Sequence, residues 1–229
     1  MISVIGDVHG CYNTLKELYK QVKDKYPNIE VYCVGDLVDR GNFSREVVDF
    51  IIENKIPFTI GNHDFMFYSF MKDPQSFMGR TWLFNGAEKT MESYKNLEEK
   101  MQQHLEVIEK VPLYFNLKDC FVSHAGISEY YKEFLPSNFV DGLGSLKDLL
   151  YDDVSEDFGI LWTRDKLLNL GKLQVVGHTR ANDVHFSEQN NVIYIDTSVY
   201  TGNKLSAVIV NDNKITDILS VATVKEDIR

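Results

Sequence analysis

A chain of 229 residues, 44% hydrophobic and 25% charged, has the balance of an ordinary globular protein and enough length to bury one sizeable core. A formal charge of −10 and a pI near 5.1 argue against a nucleic-acid backbone as the main partner, so any phosphate site must draw local positive charge from arginines or metal ions. Met1 runs straight into Ile2-Ser3-Val4-Ile5 with no basic leader and no long apolar stretch, and the expectation is a cytoplasmic protein with neither signal peptide nor membrane span.

In chain order, Ile2 to Ile5 reads as a short strand. An amphipathic helix follows, opened by the capping-box pattern Thr14-Leu15-Lys16-Glu17 and carrying the stripe Leu15, Leu18, Tyr19 and Val22. Pro27-Asn28 turns the chain into a strand from Ile29 to Val34. Ser44 can cap a second helix running to Ile52, and Ile56 to Ile60 is a third apolar run, ended by the turn at Gly61. That β-α-β-α-β order implies parallel strands with right-handed crossovers.

Asp64 to Met71 is apolar all round and reads as a buried helix, and between Lys72 and Pro112 the pattern turns helical and polar. The segment 72–112 is the expected lid or specificity region, judged by its position. Leu113 to Leu117 and Cys120 to Ser123 form a hairpin pattern, and Ser128 to Asp157 reads as irregular and acidic. Short strands follow at Leu173 to Val176, Val192 to Ile195, Leu205 to Val210 and Ile215 to Leu219, the last two joined by the turn Asn211-Asp212-Asn213. No repeat, low-complexity segment or linker interrupts the chain, so residues 1–229 read as one domain. Cys11, Cys33 and Cys120 are isolated and odd in number, which suits a reducing compartment and no disulfide framework.

Six potential ligands sit just past apolar runs: Asp7, His9, Asp36, Asn62, His124 and His178. Asp7 and His9, one residue apart, leave the same side of an extended segment. Asp36 can bridge two ions with its two oxygens. The mixed oxygen and imidazole set, without thiolate, suits manganese, iron or zinc better than calcium. Two such ions about 3.5–4 Å apart can bind a bridging hydroxide and clamp a phosphoryl group for in-line attack. Gly61-Asn62-His63-Asp64 adds an amide, an imidazole and a carboxylate in one turn, able to supply a metal ligand, an acid and the acid's partner. His104 and His185 have no Gly-flanked setting and read as solvent-exposed or structural. Arg40 and Arg164 are the candidates for holding phosphate oxygens in pairs.

Gly6-Asp7-Val8-His9-Gly10, Gly35-Asp36-Leu37-Val38-Asp39-Arg40-Gly41, Gly61-Asn62-His63-Asp64, His124-Ala125-Gly126 and Gly177-His178-Thr179, in that order, resemble the signature of the phosphoprotein phosphatase family of calcineurin-like metallophosphoesterases. The likeness is strongest to the bacterial and phage branch, through Trp82-Leu83-Phe84-Asn85-Gly86, Trp162-Thr163-Arg164 and Tyr194-Ile195-Asp196-Thr197. The resemblance implies an α/β fold, a four-layer α-β-β-α sandwich with a di-metal site between two central sheets. It implies that Asp7, His9 and Asp36 hold one metal, and Asp36, Asn62, His124 and His178 the other, with manganese expected. It further implies that Arg40, Arg164 and Asn62 orient the phosphate, and that His63, oriented by Asp39, is the general acid.

The activity implied is hydrolysis of phosphomonoesters, phosphoserine and phosphothreonine in proteins first. Asp64, where protein phosphatases often carry Glu, and His124-Ala125-Gly126-Ile127 also resemble symmetrical diadenosine tetraphosphate hydrolases, so dinucleoside polyphosphate hydrolysis is the alternative. For that substrate an adenine-binding surface is expected in 72–112. A non-catalytic phosphate-binding protein would show degraded ligands, and none of the six is degraded. No membrane partner is implied, and self-association is left open.

Overall fold

Alternation of apolar side chains within short strands decides how this chain stacks. In the computed structural model, which describes residues 1–135 and 143–229, nine strands form two sheets. The strands are β1 (Ile2–Ile5), β2 (Glu30–Cys33), β3 (Tyr114–Asn116), β4 (Phe121–Ser123), β5 (Gln174–Val176), β6 (His185–Ser187), β7 (Val192–Tyr194), β8 (Lys204–Asn211) and β9 (Lys214–Ala222). The first sheet runs β2-β1-β8-β9 and the second β3-β4-β5-β7-β6. Val4, Val208 and Val210 share a buried cluster with Val122, Val175 and Ile193 of the other sheet. Ile5, Ala207 and Ile209, one residue out of step, belong instead to the cluster of Leu15, Leu18 and Val22 on helix α1 (Tyr12–Lys25). Phe121 shares that second cluster with Leu146 and Leu150 of helix α7 (Leu143–Asp152). Sheets face each other, helices lie outside, and the α-β-β-α sandwich is the result.

The sequence misplaces several boundaries, each for a physical reason. Helix α1 starts before Thr14, and no capping box forms. The Asp227 carboxylate, from the far end of the chain, accepts the Asn13 and Thr14 backbone N–H groups at 2.9 and 2.8 Å and the Thr14 hydroxyl at 2.6 Å. A tertiary carboxylate meets the orphan donors that a local cap was expected to meet. Ser44 is the first residue of α2 (Ser44–Glu53) rather than its cap, and its Oγ accepts the Asp39 N–H at 3.1 Å. β1 and β2 pair in parallel as expected, but the run 56–60 makes only an isolated parallel bridge, Cys33 to Phe58. Pro57 has no N–H to extend a ladder.

Helix α3 (Asn62–Lys72) is not buried all round: Met66 and Phe67 are, whereas Phe65, Tyr68, Phe70 and Met71 are half-buried. The stretch 128–157 is more regular than expected, with a 3-10 turn at Glu129–Phe134 and then α7, and its portion 136–142 lies outside the described residues. β6, His185-Phe186-Ser187, is short and largely exposed at the sheet edge, without the apolar run that would announce it. The segment 72–112 is helical as expected, in α4 (Phe77–Trp82), α5 (Ala87–Ser93) and α6 (Glu98–Ile108). No described helix is long and apolar enough to cross a membrane.

Candidate metal centre

Five chain turns deliver the candidate ligands to one place. Asp7 and His9 follow β1, Asp36 follows β2, Asn62 opens α3, His124 follows β4 and His178 follows β5. All six side chains are buried. The turns are strained: His9, Asp36, Asp39, Arg40 and His178 have φ of 45°, 50°, 72°, 71° and 59°. Non-glycine residues avoid that region unless their surroundings hold them there, and such strain gathers at functional sites. Gly61 and Gly177 are needed for space: a Cβ on either would drive into the carboxylate of Asp36 or Asp7.

Hydrogen bonds set the imidazole tautomers. His9 Nδ1 lies 3.0 Å from the Val38 carbonyl and His124 Nδ1 lies 3.0 Å from the Val34 carbonyl. Each Nδ1–H donates there, which turns a bare Nε2 toward Asp36, at 3.4 Å for His9 and 3.6 Å for His124. His178 is the mirror case, with Nε2 donating to the Trp162 carbonyl at 2.9 Å and Nδ1 facing Asn62 Oδ1 at 3.0 Å. Asn62 Oδ1 is also 2.9 Å from His124 Nε2. Oxygen and nitrogen lone pairs thus converge with no proton between them, an arrangement a divalent cation would relieve. The donor set fits a borderline metal. Ligand atoms of Asp7, Asp36 and His124 lie within 4.8 Å of one another, and so do those of His9, Asp36 and His63.

Electrostatics agree with the geometry. Burial pushes the imidazoles of His9, His124 and His178 down, the last to about 3. Burial, with Asp196 and Asp36 nearby, raises Asp7 well above the usual carboxylate range. At Asp36 burial works upward too, but His124, His63 and His9 outweigh it and hold the carboxyl low.

Beside these ligands stands His63. Its Nδ1 is 2.7 Å from Asp39 Oδ2, and Arg40 Nη2 donates to its Nε2 at 2.8 Å. Asp39 is fully buried and accepts from Trp82 Nε1 at 2.9 Å and from the Thr90 hydroxyl at 2.6 Å. Both partners belong to the segment 72–112, so that segment buttresses the His63 pair. Arg164 and Arg180 line the same cleft of about 290 Å³. Among the described residues Arg164 makes no hydrogen bond or ion pair. Eight of the ten candidates from the sequence therefore line one cleft, and the other two, Asp39 and His124, are buried against His63 and Asn62 at its wall.

Other residues of the site were missed or misjudged. Asp64, read as a possible partner for the acid, instead accepts the N–H groups of Gly61, Leu37 and Val38 at 3.0, 2.9 and 3.3 Å, which fixes the loop carrying Asp36. Asp196 is buried in the cleft, where burial raises it to about 6. The Tyr200 ring lies 4.4 Å from the Arg40 guanidinium and edge-on to His9. Arg180, two residues past His178, and Asp196, within Tyr194-Ile195-Asp196-Thr197, were the ones with a signal in the sequence. His104 is structural rather than exposed, buried between Tyr94 and Asp49, whereas His185 is exposed.

Comparison with known proteins matches residues 1–219 to the family model of the calcineurin-like phosphoesterases. A bis(5'-nucleosyl)-tetraphosphatase described as asymmetrical, from Oceanobacillus iheyensis, is 31% identical over 233 aligned positions, covering 90% of this chain and 87% of the relative. The fold matches the crystal structure of a protein proposed to be a diadenosine tetraphosphatase, with TM-score 0.63, 18% identity and coverage of 98% and 94%. It also matches a cold-active protein-tyrosine phosphatase from a psychrophilic Shewanella, with TM-score 0.63, 20% identity and coverage of 97% and 80%. The chain belongs to the calcineurin-like phosphoesterase family, as a hydrolase of the metallophosphoesterase type.

Proposed function

We propose that this metallophosphoesterase hydrolyses dinucleoside polyphosphates, diadenosine tetraphosphate in the first place. The observation that carries the reading is the gathering of Arg40, Arg164 and Arg180 around one cleft of a chain whose net charge is −10. Arg40 and Arg164 already suffice to hold one phosphate, whereas a polyphosphate chain presents further anionic groups that a third guanidinium, Arg180, can meet. The tetraphosphatase relative, aligned over nine-tenths of the chain, supports the same choice.

Asp7, His9, Asp36, Asn62, His124 and His178 would hold two divalent ions, manganese by preference with iron or zinc as alternatives, and that pair supplies Lewis-acid polarisation of the phosphoryl oxygens and a more acidic water. Arg40 now donates to His63 Nε2. An arriving phosphate competes for that guanidinium, and its release frees Nε2 to take a proton and face the leaving oxygen. Asp39, fastened by Trp82 and Thr90, keeps the ring oriented.

That acid apparatus favours a second reading, the phosphoserine and phosphothreonine phosphatase, because an alkoxide leaving group needs a proton and a nucleotide phosphate does not. A competition assay separates them. Protein stripped with chelator and reloaded with manganese receives diadenosine tetraphosphate and a phosphoserine peptide together. The expected result is faster loss of the dinucleotide, with chromatography of AMP, ADP and ATP reporting which anhydride bond breaks. Faster phosphate release from the peptide would reverse the order of the two readings.

A further inference from the structure

Arg164 and Arg180 are a shared wall. On one side is the cleft of the metal centre, and on the other a second cavity of about 310 Å³, bounded by residues 163–167, the loop after β5 and the β6-β7 edge of the second sheet. No step of the proposed hydrolysis uses that second cavity. Its size falls at the lower end of small-molecule sites.

The chemistry of its lining is directional. The guanidinium groups occupy the end next to the metal centre. Away from them stand the rings of His185 and Tyr194, cross-strand partners in register, 6.1 Å apart and 23° from parallel. Leu167, buried, adds an apolar surface and is seated against Gly126, whose φ of +96° and missing Cβ leave room for the leucine methyls. Asp165 adds an acceptor, and Thr179 a hydroxyl with no hydrogen-bond partner among the described residues. A second phosphate would be repelled by Asp165 and would leave the rings idle. A flat heteroaromatic base stacks on such rings, ribose hydroxyls or a base amino group can donate to Asp165, and the attached phosphates meet Arg164 and Arg180 on the way to the metal centre.

We propose that this cavity seats the purine nucleoside of the substrate, with Arg164 and Arg180 gripping the phosphates that lead from it into the metal centre. The inference rests on the dinucleotide reading above and moves the base contacts away from residues 72–112, where the sequence suggested them, to the segment 163–194.

Two variants test it on the manganese-loaded protein, His185→Ala at an exposed edge position and Tyr194→Ala at a half-buried one. Each is assayed on diadenosine tetraphosphate, diuridine tetraphosphate and p-nitrophenyl phosphate. The expected result is a fall in kcat/KM for the adenine dinucleotide on the order of tenfold, carried mainly by KM. A smaller fall is expected for the uridine analogue, and p-nitrophenyl phosphate kinetics should change less than about twofold. Should Tyr194→Ala lower the melting temperature, His185→Ala alone decides. Unchanged dinucleotide kinetics in His185→Ala, or equal losses on all three substrates, would overturn the cavity assignment while wild-type turnover of the dinucleotide leaves the functional reading standing. A wild-type protein that splits the phosphoserine peptide and neither dinucleotide removes both.

Discussion

His63 sits between an acceptor and a donor: its Nδ1–H donates to the Asp39 carboxylate, and its Nε2 accepts from the Arg40 guanidinium. Its value as an acid therefore depends on the leaving group. A phosphate leaving group ionises near neutral pH (second pKa about 6), whereas a serine alkoxide must be protonated. His63→Asn should then cut turnover of an alkyl phosphomonoester by about 10²-fold or more and that of diadenosine tetraphosphate or p-nitrophenyl phosphate far less. Equal losses on all three, measured as kcat, would remove His63 from the acid role. Asp64 acts at a distance, through the three backbone N–H groups it receives. Asp64→Ala leaves them buried and unpaired, and a loss of roughly 2–4 kcal/mol in urea denaturation is expected. The motif residues were legible because each follows an apolar run and is flanked by glycine, a local pattern. Asp196 follows an apolar run and lies in the stretch Tyr194-Ile195-Asp196-Thr197 but lacks the flanking glycine. Tyr200 carries no pattern, so that only its tertiary contacts with His9 and Arg40 reveal its place.

Elements were legible where local periodicity decided them and obscure where a distant residue intervened. The helical stripe of α1 is evident from Leu15, Leu18 and Val22, but its first turn is governed by Asp227. Replacing that aspartate tests the point: Asp227→Ala should destabilise by about 1–2 kcal/mol, read from the urea midpoint. Thr14→Ala, which deletes only one of the bonds to it, should lose less. The third apolar run ends as a single bridge because a proline sits inside it, a feature visible in the sequence and outweighed there by Ile56, Phe58 and Ile60. Helix α6 carries His104, which ties it to Tyr94 after α5 and to Asp49 on α2, with Lys100 and Arg45 also close. Burial lowers the His104 pKa even though Asp49 pulls it upward. The ring is neutral in the folded protein, so below the usual unfolded value of about 6.5 the unfolded chain binds the extra proton and stability falls as pH drops. His104→Phe should flatten the decline of stability between pH 6.5 and 5, and an unaltered slope would show that the histidine is silent there.

At the scale of the molecule, two sheets with alternating faces bring loops from distant parts of the chain to one end. Whereas the strands by themselves read only as short apolar runs, the four-layer architecture was foreseeable through the ordered motifs and the family they resemble. The insertion of β8 between β1 and β9 is not, because pairing depends on contacts two hundred residues apart. The arrangement concentrates the buried carboxylates of Asp7, Asp36 and Asp196 with the imidazoles of His9, His124 and His178 at one site of an acidic protein. Lone pairs facing one another oppose folding until a cation lies among them, so ion and fold should be linked. Chelation should lower the melting temperature, and readdition of manganese at about 100 times its Kd should restore about 2.7 kcal/mol. For a chain of this length that is a shift of roughly 5–10 °C. The mixed carboxylate, amide and imidazole set also predicts an order: manganese and zinc should stabilise more than magnesium, and calcium least. Thermal melts of the stripped protein with each ion check it, and equal shifts with calcium and manganese would mean that the imidazoles of His9, His124 and His178 are not ligands.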